Sequence, residues 1–136
     1  MARLSSQRTR LLALGLRVAR WPLFQPLVRF FFNHMDVILP VDRILENDHW
    51  VAFHHPQPDY ALHILILPKK AVPSLAQASL AVPEEFAALF DLSQSLIARF
   101  DLERFGYRLI TNGGPNQSIP QWHWHLISAA WQESHD

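Results

Sequence analysis

Cysteine is absent from the 136 residues, which excludes disulfides and thiolate-held metal sites. A reducing compartment is compatible with that absence. Acidic residues are missing from residues 1–35, which carry six arginines (Arg3, Arg8, Arg10, Arg17, Arg20 and Arg29) and hence +6. The other six basic residues face all twelve acids, giving −6, so a formal net charge of +0 hides a sharp asymmetry. Such a split points to a basic arm with a partner of its own: an anionic membrane, an acidic protein surface or nucleic acid. The apolar run Leu11-Leu12-Ala13-Leu14-Gly15-Leu16 is too short to span a bilayer, and Arg17 and Arg20 interrupt it. There is no internal repeat and no low-complexity segment.

What is present suits one folded domain with an appendage. The length is that of a single domain, and 49% hydrophobic residues suffice for a sizeable core. Residues 1–35 form the first unit. At about 100° per residue, Arg10, Arg17 and Arg20 fall on one side of a helix, and Leu11, Leu14 and Val18 on the other. Pro22 and Pro26 end it. This basic amphipathic segment reads as an interfacial or partner-docking helix. An organelle transit peptide, with Ser5, Ser6 and Thr9 among the arginines, and a helix packed on its own domain are the other readings.

The second unit is residues 36–136. Short strands are predicted over residues 41–45 and 50–54. Residues 62–67 are almost continuously apolar, which suits a strand buried on both faces. A helix starts at Pro83, a favoured first helical position, with Glu84 and Glu85 complementing its positive end. Its packed face is predicted to be Phe86, Leu89, Phe90, Leu96, Ile97 and Phe100. Residues 107–111 are the next strand, and the histidine strand closes the domain. The order β-β-β-α-β-β implies an α+β domain with a mainly antiparallel sheet.

Two segments carry the chemistry. In Gln121-Trp122-His123-Trp124-His125-Leu126-Ile127, strand alternation puts Gln121, His123 and His125 on one face and Trp122, Trp124 and Leu126 on the other. Upstream lies Asn112-Gly113-Gly114-Pro115-Asn116-Gln117-Ser118, a donor-rich loop in which two glycines permit close approach to a phosphate. A neutral imidazole is a good nucleophile at phosphorus once an acceptor holds its far nitrogen, and a strand carbonyl suffices for that. Plainer readings exist for each part. The histidines can be a satisfied half-buried pair, or a metal pair completed by His55 or His63. The glycines can be only a turn. Trp122 and Trp124 read as core or interface bulk, and Lys69-Lys70 as a solvated strand end or a phosphate clamp. Adjacent His54 and His55 point to opposite faces.

Together these segments resemble the histidine triad (HIT) family of nucleotide hydrolases and transferases, over about residues 41–128. Ile44-Leu45-Glu46-Asn47-Asp48 and Val51-Ala52-Phe53 are similar to its opening strands, and His63-Ile64-Leu65-Ile66-Leu67-Pro68-Lys69 to its H-T-L-V-I-P-K strand. Asn112-Gly113-Gly114, Gln117-Ser118-Ile119 and Gln121-Trp122-His123-Trp124-His125 are similar to its loop and triad signature. The resemblance implies a five-stranded HIT-like fold with a long packed helix. It also implies attack on the α-phosphate of a nucleoside phosphate, phosphoramidate or dinucleoside polyphosphate through a nucleotidyl-histidine. Residue by residue, His123 matches the nucleophile and His125 the histidine that contacts the phosphate and leaving-group oxygen. Ser118 matches a hydroxyl near the leaving group, Asn112 and Gln117 phosphate-contacting amides, and His63 a residue near the ribose.

The chain departs from the family pattern at several positions. Gln121 replaces the first triad histidine, Asn116 a usual glycine, His55 the usual ribose-holding acid and Ala71 a usual histidine. The loop between Asn112 and Gln117 is also shorter. The scheme requires no metal or cofactor, and no specific nucleic acid is expected. A homodimer is implied, with aromatics such as Trp50, Phe100, Phe105 and Trp131 available for the contact. The expected location is the cytoplasm, a membrane surface reached through residues 1–35, or an organelle if that segment is a transit peptide. A second function is a catalytically diverged sensor or accessory subunit attached to a membrane or protein complex by the arm.

Overall fold

The computed structural model describes residues 43–134. The basic segment and the boundary at residue 36 lie outside these residues, as does the start of the strand expected over residues 41–45. Five strands and two helices follow in order: β1 (Arg43–Glu46), β2 (Trp50–His54), β3 (Leu62–Pro68), α1 (Pro83–Arg99), α2 (Leu102–Phe105), β4 (Arg108–Thr111) and β5 (Trp124–Ser128). Single 3-10 turns occur at Leu75–Gln77 and Gly114–Asn116. The strands form one sheet in the order β1-β2-β3-β5-β4, and every neighbouring pair is antiparallel. This is the HIT-like α+β arrangement read from the sequence, with the short α2 added.

Local chemistry explains the connections. Asn47 makes the turn from β1 to β2, since its Oδ1 accepts the amides of His49 and Trp50 at 3.0 and 2.9 Å. Its Nδ2 donates to the Ala88 carbonyl at 2.9 Å, so the same side chain ties the hairpin to α1. The central strand β3 lies between β2 and β5 and is buried on both faces apart from partly buried Leu65, which is why its sequence is nearly unbroken apolar. Leu62, Ile64 and Ile66 share a core with Trp50, Ala52, Trp122, Leu126 and the helix residues Leu89, Leu92 and Leu96. The helix spacing of three and four keeps those leucines on one stripe. Among the described residues no helix is long and apolar enough to cross a membrane.

Two sequence expectations fail here. Phe90 was expected on the packed face of α1 but is 55% exposed, because its neighbour Leu89 holds the centre of the stripe and residue 90 lies about 100° round the helix. Of the aromatics expected to be available for a dimer contact, Trp50 is spent in the core, while Phe100, Phe105 and Trp131 stay partly exposed. Trp50 is 2% exposed, donates to the Glu85 carbonyl at 2.6 Å and meets Trp122 edge-on at 5.2 Å. Trp131 donates to the Phe100 carbonyl and packs edge-on against that ring. Phe105 is partly buried, with the Arg104 guanidinium 5.3 Å from its ring centre.

Candidate active site

The site forms where β3 and β5 lie side by side and the chain leaves β2. In the β3–β5 register Leu65 faces His125 and His63 faces Ile127. His63 and His125 are therefore diagonal neighbours on one face, and their Nε2 and Nδ1 atoms are 2.9 Å apart. His55 follows β2 and donates its backbone N–H to the His63 carbonyl at 2.8 Å. That bond places its ring 4.3 Å from His63 and 6.2 Å from His125. His54 turns away towards Phe100, as strand alternation requires. His123 adjoins His125 at 4.8 Å between ring centres.

The segment around His123 corrects the reading of one strand from residue 121. β5 begins only at Trp124, and Gln121, Trp122 and His123 precede it. The last paired position is Trp124 opposite Ile66; beyond it β3 reaches Pro68, which has no N–H for the ladder. The Trp122 amide bonds instead to the Val72 carbonyl at 2.7 Å. Thr111 locks this stretch: its hydroxyl donates to the His123 carbonyl at 2.8 Å and accepts the Trp122 indole N–H at 3.0 Å. Nothing in the sequence marks Thr111, which reads as an ordinary strand residue.

Backbone groups determine which nitrogen of each ring carries the proton. His123 Nδ1 lies 2.7 Å from the Gln121 carbonyl, which only accepts, so Nδ1 is protonated and the Nε2 lone pair is free. The Asp59 amide donates to His63 Nδ1 at 3.2 Å. His63 therefore carries its proton on Nε2 and donates it to His125 Nδ1. His125 in turn holds its own proton on Nε2, as a donor. The Gln57 amide donates to His55 Nδ1 at 3.0 Å, which makes His55 Nε2 a donor as well. Sequence reasoning did not single out Gln57 and Asp59, because they act through their amides and not their side chains.

All four imidazoles are held neutral at pH 7. Burial pushes His125 down to about 3, helped by His123, His63 and His55. Burial also pushes His55 down to about 4; His63 adds to this and Asp59 opposes it. His63 and His123 are lowered by burial too, opposed by Asp59 and by the Gln121 carbonyl respectively. Ring nitrogens of His55, His63 and His125 lie within 4.8 Å of one another, a spacing open to metal ligation.

The loop is less directly joined to this cluster. Gly114 has φ +55°, a left-handed conformation that favours glycine. The amides of Asn116 and Gln117 are spent inside the turn, on the carbonyls of Gly113 and Gly114. Gln117 Nε2 donates to the carbonyls of Pro73 and Ile119, so that amide staples the loop. Gln121 is buried and donates to the Trp122 carbonyl. Asn112 and Ser118 are partly buried, while Gly113, Gly114 and Asn116 are exposed. Among the described residues the hydrogen bonds do not join residues 112–118 to His123 or His125; the His123 ring bonds instead to the Gln121 carbonyl. Lys69 pairs with Glu46 and Lys70 with Glu85, which fits a solvated strand end and not a phosphate clamp. A cavity of about 540 Å³ lies elsewhere, against His54, Arg99, Phe100 and Trp131.

Comparison with known proteins agrees with this architecture. A HIT-like protein of 13.2 kDa from Azospirillum brasilense is 32% identical over 93 residues, covering 66% of this chain and 76% of its own. The HIT family hydrolase of Legionella pneumophila Philadelphia 1 superposes with a TM-score of 0.66 at 25% identity, over 72% of this chain and 89% of that one. The histidine triad nucleotide-binding protein of Candida albicans shares the fold, with a TM-score of 0.62 at 18% identity over 79% and 85% of the two chains. Residues 39–130 match the HIT domain, and the chain belongs to that family.

Proposed function

We propose that the protein is a nucleotidyl hydrolase or transferase acting at the α-phosphate of a nucleoside phosphate, phosphoramidate or dinucleoside polyphosphate. One observation carries this reading. His123 presents an unprotonated Nε2 beside His125, whose own Nε2 is held as a donor. His123 Nε2 attacks phosphorus, and the bond to the leaving group breaks with its electron pair. The leaving group takes a proton from water. The Nδ1–H bond to the Gln121 carbonyl steadies the imidazolium that forms. His125 Nε2–H hydrogen-bonds to the phosphoryl or bridging oxygen as charge develops there. Water or another acceptor then attacks the nucleotidyl-histidine and returns the electron pair to His123.

Within this reading Ser118 and Asn112 serve the leaving group and phosphate, and Gly113 and Gly114 let the loop approach. A HIT family hydrolase and a histidine triad nucleotide-binding protein among the structural neighbours support the class. A twofold dimer and an arm over residues 1–35 that docks on a membrane or a partner complete the proposal. The test is incubation with a labelled nucleoside phosphoramidate. Product and an acid-labile histidine adduct are expected, and His123→Ala should remove both while leaving nucleotide binding largely intact. An active His123→Ala protein refutes the assignment. The commitment of the Gln117 amide to the Pro73 and Ile119 carbonyls favours a second reading, a diverged nucleotide sensor or accessory subunit. Nucleotide binding with neither product nor adduct would select it.

A further inference from the structure

We propose that His55, His63 and His125 form a three-imidazole site for a divalent transition ion of the zinc class. This site is separate from the nucleophile, since His123 is outside the ligand set. Three observations support it. Ring nitrogens of the three residues lie within 4.8 Å of one another, and the His63–His125 pair is 2.9 Å apart. A tetrahedral zinc ion with Zn–N of about 2.0–2.1 Å sets its ligand nitrogens roughly 3.3 Å apart, so the rings must close by up to about 1.5 Å to bind it. The rings come from three backbone positions already fixed by the sheet: one residue beyond β2, and the second residues of β3 and β5. The charged group acting on both His55 and His63 is the Asp59 carboxylate, and among the described residues no lysine or arginine acts on the three rings. Three neutral ligands leave a fourth position open to water or to a ligand oxygen.

The second shell makes the inference specific. In the ion-free state the amides of Gln57 and Asp59 donate to Nδ1 of His55 and His63, which puts the protons on Nε2. Ligation through Nε2 requires the opposite tautomer. The Nε2 proton leaves to water and Nδ1 takes one up from water, so the net proton count is unchanged; the two amide bonds and the His63–His125 bond break. Both amides belong to the exposed stretch 56–61, where water replaces the lost acceptor. The ion should therefore report itself through two backbone amides that it does not touch.

The test uses the full chain at neutral pH, with zinc and cobalt(II) chlorides as probes and no nucleotide. Calorimetry should show one equivalent of zinc bound, and cobalt should give the visible absorption of a four-coordinate site. Nitrogen-15 spectra should show His55 and His63 changing from the Nε2–H to the Nδ1–H form, with the Gln57 and Asp59 amide signals shifting alongside. His55→Ala and His63→Ala should each weaken binding at least tenfold, and His123→Ala should leave it unchanged. Affinity that survives His55→Ala, or that falls with His123→Ala, would place the ion elsewhere and overturn the proposal. So would the absence of binding, or unchanged tautomers in the wild-type chain, a readout that depends on no variant folding. Zinc binding by an His123→Ala protein that forms no adduct would show that the ion, which takes His125, does not need the nucleophile, so that failure of either proposal is seen apart from the other.

Discussion

At the scale of the residue, the departure at position 121 matters less than its side chain suggests. His123 is oriented by the main-chain carbonyl of Gln121, which every residue possesses, while the Gln121 amide is occupied with Trp122. Gln121→His is therefore expected to raise kcat/KM for a phosphoramidate, or to change it by less than tenfold, about 1.4 kcal/mol of transition-state stabilisation. A larger fall would mean that the Gln121 side chain contributes to turnover. The same four rings give a pH dependence whose sign is fixed. Each has a folded-state pKa below the ordinary histidine value of about 6.5, so the unfolded chain binds more protons as pH falls. Their contribution to stability is complete above about 6.5 and is lost progressively towards about 4 for His55 and about 3 for His125. Urea midpoints should be level from roughly pH 7 to 8 and fall steadily below 6.5. The fall should become shallower in His125→Ala, and a profile equally steep in that variant would contradict the assignment.

At the scale of the element, helix α1 separates what hydrophobic periodicity can tell from what packing decides. Leu96 is fully buried and Phe90 is 55% exposed, although both read as members of one apolar face. Leu96→Ala should cost about 2–5 kcal/mol, by removing buried methyl groups and leaving a cavity. Phe90→Ser should stay within about 0.5 kcal/mol of wild type, as expected for an exposed position. Chemical denaturation of the two variants measures the contrast, and a large loss for Phe90→Ser would show that this ring is covered in solution. Strand β5 gives the same lesson at its start. Alternation correctly separated the histidines from Trp122 and Leu126, yet the ladder begins only at Trp124. Where pairing stops depends on the partner strand reaching Pro68, and on Val72 and Thr111 taking over the bonds, all of them distant in sequence.

At the scale of the whole molecule, the basic segment sets the most accessible experiment. Each basic residue near an anionic membrane contributes on the order of 1 kcal/mol at low salt, and Trp21, Phe24, Phe30, Phe31 and Phe32 add apolar area that salt does not screen. Binding to anionic vesicles should weaken without vanishing as ionic strength rises. Deleting residues 1–35 should abolish it while nucleotide binding persists, because every proposed site residue lies beyond His54. Full-length protein that neither sediments with vesicles nor co-purifies with a membrane partner would end the docking idea. The order of strands and helix, the doubly buried β3 and the candidate nucleophile were all legible in the sequence. Those features rest on local patterns: continuous apolar runs, a proline and two glutamates at a helix start, and a spaced histidine pair beside a glycine loop. The tertiary structure alone decided the proton positions, the loop's bonding and the aromatic contacts. A tautomer is set by whichever backbone group lies about 3 Å away, and for His63 that group is an amide in a loop while its other nitrogen meets a ring 62 positions along the chain. The ring exists there only after β3 and β5, far apart in sequence, have paired, and the nearby amide acts through the path of its loop and not its side chain, so no residue pattern encodes either.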